Sequence, residues 1–276
     1  MKHTLQYLAL AMSACMFMAC SQQDDPNTRL IKSQDMPVDE LMERSGVNAQ
    51  IVQIPEKVLA DAEDQLRRGI VAVDDIRAIL IQTFNPSDLR TDARAYMAEN
   101  LDANEVESIL AWLNSDIGKK VSALEKAGRV NAKHQDVMES YRKLKKNKQR
   151  LELVHQLDDA MQSTASSVDM ALATQRSLLT ALIPGMPETK VITEDEIRAK
   201  IEEIRPKMLP KYKRMVEASS LHSYQSLTDG EMQAYIAFSK SEAAQHYYQV
   251  MSKSLQAAIV AAGGKAGTAI GDLGKS

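Results

Sequence analysis

From Pro37 to about Ala262 the apolar residues of this chain recur in steps of three and four. That spacing places side chains on one face of an α-helix. Val106, Ile109, Leu110, Leu113, Ile117, Val121 and Leu124 form one stripe; Met232, Tyr235, Ile236, Ala243, Tyr247, Val250 and Met251 form another. No run alternates apolar and polar residues for long enough to make a half-buried strand. Composition points the same way. Aromatics are only 4%, while Ala, Leu, Met, Glu, Lys and Gln are common, and these are the residues that cost least in a helix. The expected fold is all-α, held by packing of amphipathic faces. Breaks are expected near Gly69, Asn85-Pro86, Gly128, Pro184 to Pro187, Pro206 and Pro210, and the Gly-rich segment 263–276 reads as a loose tail.

The two stripes also align with each other without a gap. Leu101 meets Leu227, Glu105 meets Glu231, Ala111 meets Ala237, Trp112 meets Phe238, Ser115 meets Ser241 and Leu124 meets Val250. Physical roles repeat along with the letters. Thr228 with Glu231, and Asp102 with Glu105, have the spacing of capping boxes. Leu227 with Met232, and Leu101 with Val106, have the spacing of hydrophobic staples. Each cap contributes about 1 kcal/mol to its helix. Ser115 and Ser241 are placed to cap a following helix, and Gly118 would let helices approach closely. The expectation is a duplicated multi-helix array of two related helical units, 37–148 and 149–262. Trp112 and Phe238 would occupy two related packing sites.

The segments LDANEVESILAWLNSDIGKKVSALEKA and LTDGEMQAYIAFSKSEAAQHYYQVMSKSL resemble the core of the domain of unknown function 2059 family. The shared features are an acidic helix start, an aromatic near the helix end, then Ser and a small residue. Leu113 or Ser239 stands where that family usually has Tyr, and Asp116 or Glu242 where it usually has Pro. The resemblance implies an all-helical exported domain and no catalytic residue.

The N-terminus carries a second resemblance. Lys2 and His3 precede an apolar run from Leu5 to Ala19, then Cys20 and Ser21. The run is too short and too interrupted, by Gln6 and Ser13, to span a membrane. It resembles a lipoprotein signal peptide, with Phe17-Met18-Ala19-Cys20 as the lipobox, although Phe17 stands where Leu is usual. The resemblance implies a signal over 1–19, removed on export, and acyl chains on Cys20. A polar tether would run to residue 36. The protein would be an outer-membrane lipoprotein facing the periplasm, its membrane partner held through Cys20. Cys15 and Cys20 are the only cysteines, so the mature chain has no disulfide and no thiol chemistry beyond Cys20.

No residue pattern specifies a reaction. The net charge of −3 gives no bulk attraction to nucleic acid. Ala269 to Ser276 satisfies a loose phosphate-loop pattern, but nothing follows Ser276 to supply the helix whose N–H groups hold phosphate, so no nucleotide is expected. Glu194-Asp195-Glu196 reads as the acidic first turn of a helix capped by Thr193. His134, His155, His222 and His246 have no metal-ligand spacing among themselves, and neither metal nor cofactor is expected. Arg142, Lys143, Lys145, Lys146, Lys148 and Arg150 form one basic run, read as a solvated connection or a contact for an anionic envelope polymer or lipid head group.

The main expectation is a non-catalytic interaction or structural module, lipid-anchored in the cell envelope, with an unidentified envelope protein as partner. The first alternative is a periplasmic binding protein holding an amphiphile or peptide between helices. Trp112, Tyr224, Tyr235 and Tyr247 are its candidate ligand residues. The second is an envelope hydrolase using paired Asp or Glu carboxylates.

Overall fold

The computed structural model describes residues 37–66, 73–131, 134–185 and 193–273, and all regular structure among them is helical. The all-α expectation holds. Cys20, the signal 1–19 and the tether lie outside the described residues, as do Gly69 and Gly274 to Ser276.

The helices are α1 (37–44), α2 (Val47–Leu66), α3 (Val73–Thr83), α4 (Pro86–Asn100), α5 (Ala103–Asn114), α6 (Asp116–Asn131), α7 (His134–Leu144) and α8 (Lys148–Met161). After these come α9 (Ser163–Leu182), a 3₁₀ turn at Ile183–Gly185, α10 (Glu194–Ser223), α11 (Asp229–Ser239) and α12 (Glu242–Leu273). Asn85 caps α4, its side chain accepting from the Asp88 N–H at 2.9 Å, with Pro86 in the first turn. Pro is favoured there because its missing N–H has no helical partner anyway. Asp102/Glu105, Thr193/Glu196 and Thr228/Glu231 all form the capping boxes their spacing predicts. The staple residues Leu101, Val106, Leu227 and Met232 are buried.

Three expectations about breaks and ends are corrected. Gly128 lies inside α6. Pro206 and Pro210 lie inside the 30-residue α10. Each proline removes the hydrogen bond to the carbonyl four residues back, but Glu202, Pro206 and Pro210 are all exposed, so water reaches the freed carbonyls. Residues 263–273 are not a loose tail; they continue α12. Their glycines are contacts. A Cβ on Gly263 would lie 1.9 Å from Ser177 Oγ, so the missing side chain brings α12 close against α9. Ala266 and Ile270 are buried on the same face.

Helix α12 is the spine, packed along α9, α4 and α3. One core gathers Leu41, Ile51, Leu80, Phe84, Met97 and Ile109 from the first half with Leu182, Leu255 and Ile259 from the second. A second core gathers Val121, Leu153, Leu157, Leu221, Met232 and Tyr235. Segments 37–148 and 149–262 therefore share both cores. Trp112, Phe238 and Met161 pack against both, and they mark the seam where a cavity opens.

Candidate functional site

The four aromatic residues singled out in the sequence converge. Trp112, Tyr224, Tyr235 and Tyr247 all line one cavity of about 470 Å³ between α5, α6, α9, α10, α11 and α12. A second cleft of about 560 Å³ shares Gln50, Met161, Ser163, Ser167, Ser219, Tyr248 and Met251 with it. The two therefore adjoin. Each falls within the usual range for a small-molecule site.

The aromatic wall is a three-ring stack. Trp112 lies face to face with Phe238, centroids 4.0 Å apart and planes 8° from parallel, and its ring stacks on Tyr235 at 5.1 Å. Tyr224 meets Tyr235 edge-on at 5.8 Å and 79°, a favoured approach for ring quadrupoles. Trp112 and Phe238 thus occupy one shared packing site, not the two separate sites expected from the sequence.

Glu125 is the polar centre. Its Oε1 accepts hydrogen bonds from the hydroxyls of both Tyr224 and Tyr235, at 2.8 Å each. Burial raises the Tyr224 and Tyr235 phenols well above their ordinary value, and the nearby Glu125 carboxylate adds to the effect. Tyr248 is raised by burial as well, and shares a 3.1 Å hydrogen bond with Ser239 Oγ. These phenols stay protonated near neutral pH and act as donors. Ser163, Ser167, Ser219, Ser220 and Ser223 add hydroxyls around the opening.

Remote groups position this centre. Arg150, only 6% exposed, donates to the Tyr224 carbonyl and pairs with Asp229 at 3.1 Å. It belongs to the basic run but is a buried brace that fixes Tyr224 and the start of α11. The sequence reading treats it as one more surface cation. Gln162, between the lining residues Met161 and Ser163, has φ 54, a left-handed conformation that costs a non-glycine residue energy. Asp158 holds that junction by accepting from the Thr164 N–H at 2.8 Å and its hydroxyl at 2.6 Å.

Glu125 and the serines are cavity-lining residues the sequence reading missed. A signal for Glu125 exists. It falls four residues after Val121 and three before Gly128, on the apolar stripe of α6, where a lone carboxylate needs partners. The serines of α9 and α10 give no such signal.

The cavity pairs residues from the two aligned stripes. Ile109 with Tyr235, Trp112 with Phe238, Val121 with Tyr247, Ser122 with Tyr248 and Glu125 with Met251 are all separated by the same sequence offset, and all ten line it.

The remaining candidates are accounted for by local partners. His155 Nε2 lies 2.8 Å from Glu217 Oε2, His222 Nδ1 2.9 Å from Ser140 Oγ and His246 Nδ1 2.7 Å from Glu105 Oε1. The His134 side chain lies outside the described residues. Among the described residues no three His, Cys, Asp or Glu side chains stand together as a metal site, and no helix is long and apolar enough to cross a membrane. Ala269–Leu273 of the phosphate-loop-like string is the last turn of α12. The chain matches no protein-family model, no curated protein sequence and no solved structure.

Proposed function

We propose that this chain is an envelope binding protein, anchored through lipid on Cys20, that holds a small amphiphilic ligand between its helices without transforming it. The observation that supports this most is the convergence of Trp112, Tyr224, Tyr235 and Tyr247 with Glu125 around a cavity adjoining an apolar cleft. Apolar walls with a few convergent polar groups are the usual build of a binding site. The paired-carboxylate hydrolase has less support. Glu125 is the sole carboxylate among the residues lining the cavity, and the neighbouring Asp158 is committed to Thr164. The cavity also favours ligand binding over a purely structural module, because a structural seam gains nothing from an unfilled space.

Two experiments test the two halves of the reading. A neutral amphiphile, dodecyl maltoside below its micelle concentration, is titrated into the full chain while emission from Trp112, the single tryptophan, is followed. A saturable change is expected. Ser167→Phe, at a half-buried position shared by the cavity and the cleft, should abolish it. An unchanged spectrum in the parent chain ends the ligand-binding reading. For the anchor, a fatty-acid probe should label the chain in cells and should fail to label Cys20→Ala; equal labelling removes the anchor.

A further inference from the structure

The cavity offers a carboxylate and hydroxyls to a head group and adjoins a methionine-lined cleft, so it restricts the chemistry of its occupant. Glu125 is the single charged group lining the aromatic cavity. Its Oε1 is taken by the two tyrosine hydroxyls, and among the described residues no donor stands on its Oε2. The residue is half-buried, and that oxygen is open to an incoming partner. A partly desolvated carboxylate gains most from a cationic or strongly donating partner. The Tyr224 and Tyr235 hydroxyls that bond Oε1 hold the carboxylate in place for that partner.

The adjoining cleft differs. Met161, Met170, Met215 and Met251 line it with Leu255 and Ile54. Met215 is 53% exposed, an apolar side chain left partly uncovered. Methionine is flexible and polarizable, suited to chains of variable shape. The one charged residue lining this cleft is Lys57, which is exposed. Asp61 acts on Tyr212 of the same cleft, so Lys57 is offset there and selection for a cation falls to Glu125. Asp158, beside the cavity in an adjoining hollow, adds negative charge on the Glu125 side.

We propose that the occupant is a cationic amphiphile: an organic ammonium head group seated against Glu125 beside Tyr224 and Tyr235, with an alkyl chain along the methionine-lined cleft. This rests on the binding reading above and specifies its ligand class. The pseudo-symmetric lining supports it. Glu125 and Met251 hold equivalent places in the two stripes, so the carboxylate and a methionine of the apolar cleft face the same space from opposite halves.

The test uses the full chain, Trp112 emission and three twelve-carbon amphiphiles below their micelle concentrations: dodecyltrimethylammonium, dodecyl sulfate and dodecyl maltoside. The cation should bind roughly tenfold or more tighter than the sulfate, the scale of a charge-assisted contact. Glu125→Gln should weaken the cation by roughly tenfold more than it weakens the maltoside. Equal affinity for cation and sulfate overturns the head-group assignment, as does full cation affinity in Glu125→Gln. If the maltoside still binds in either case, the cavity reading survives without it. If none of the three binds, both fall. Should Glu125→Gln melt early by circular dichroism, the cation-against-sulfate comparison in the unmodified chain decides alone.

Discussion

The helix pairs α5–α6 and α11–α12 use the same local chemistry and reach different ends. Both begin with a capping box. Both turn at a serine whose hydroxyl accepts from the N–H three residues on, Gly118 to Ser115 at 3.1 Å and Ala244 to Ser241 at 3.3 Å. Their contacts are reciprocal. Lys120 of the first pair reaches Glu231 of the second at 2.7 Å, and His246, in the place of Lys120, reaches Glu105, in the place of Glu231, also at 2.7 Å. Trp112 stacks on its own counterpart, Phe238. Such exchange has the form of an isologous contact. The pairs diverge where they meet ligand space. The first places Glu125, Ile109 and Ser122 on the cavity, the second Met251, Tyr235 and Tyr248. Matched positions keep the fold; mismatched ones give the cavity its chemistry.

The corners themselves break the likeness most sharply. A Cβ on Gly118 would lie 2.0 Å from the Trp112 carbonyl oxygen and 2.9 Å from Leu113 Cα. Both are backbone atoms, so no side chain can yield. Ala244, by contrast, is a fully buried alanine. Gly118→Ala should cost at least about 3 kcal/mol, the upper end for overpacking. Ala244→Gly should cost about 1–2 kcal/mol through helix propensity and a lost methyl. Thermal melts of the two variants measure the difference; equal small losses would mean that the two corners are the same.

The stack comes next in size. Trp112 and Phe238 are half-buried and border existing space, so truncation leaves less new cavity than in a sealed core. Trp112→Ala and Phe238→Ala should each cost about 3 kcal/mol, the low end for large aromatics. Because each removes the same stack, the double variant should cost about 1 kcal/mol less than the sum. Additive losses in denaturant unfolding would show that the rings act independently.

How far the sequence was legible follows from which interactions are local. The caps at Asp102, Thr193 and Thr228 depend on residues three apart, and all three form as read. Trp112, Tyr224, Tyr235 and Tyr247 were legible as aromatics on or near helical stripes, and they do share one space. Their mutual arrangement was not, because Trp112 meets Phe238 only once distant helices cross. Pro206 and Pro210 look like helix stops because their local cost is real; the packing of α10 on α9, α7 and α8 overrides it. The glycines after residue 262 look like a loose tail until Ser177 of α9 supplies the surface that needs Gly263. Glu125 was readable as an oddity on a stripe, but its partners Tyr224 and Tyr235 are supplied by the other half of the chain. A cavity is a property of several helices at once, and no local pattern encodes it.

A third way to sharpen the comparison uses pH. The tyrosines of the second pair have no counterpart phenols in the first, where Ile109 and Ser122 stand at the equivalent positions. The phenols of Tyr235 and Tyr248 are raised by burial above the ordinary value of 10.0. A group raised in the folded state favours folding below its unfolded value and loses that contribution as pH rises toward the folded one. From neutral pH, stability should be flat up to about pH 10 and fall beyond it. Tyr235→Ile, which copies the first pair into the second, should flatten that fall. A variant with the parent's alkaline profile would place the titrating phenols elsewhere.

The smallest effect lies in the reciprocal ion pairs. Glu231 is held below its ordinary 4.5, first by the hydrogen bond from Lys120 and then by the Thr228 N–H. The counterpart pair joins Glu105 to a histidine, which is ionic only when the imidazole is protonated. A carboxyl lowered in the folded state contributes stability above its unfolded value and loses it as pH falls through the folded one. The Glu231 contribution is therefore present at neutral pH and disappears in acid. Lys120→Ala should move the Glu231 titration part of the way back toward 4.5, leaving the share that Thr228 supplies. The pair is solvent-exposed on the Lys side, so the effect on melting should be slight and the titration is the sensitive readout. Carboxyl resonances followed by NMR through the acid range measure it directly. A Glu231 titration that ignores Lys120→Ala would mean that this bridge does not form in solution, and with it would go half of the reciprocity that makes the two helix pairs comparable.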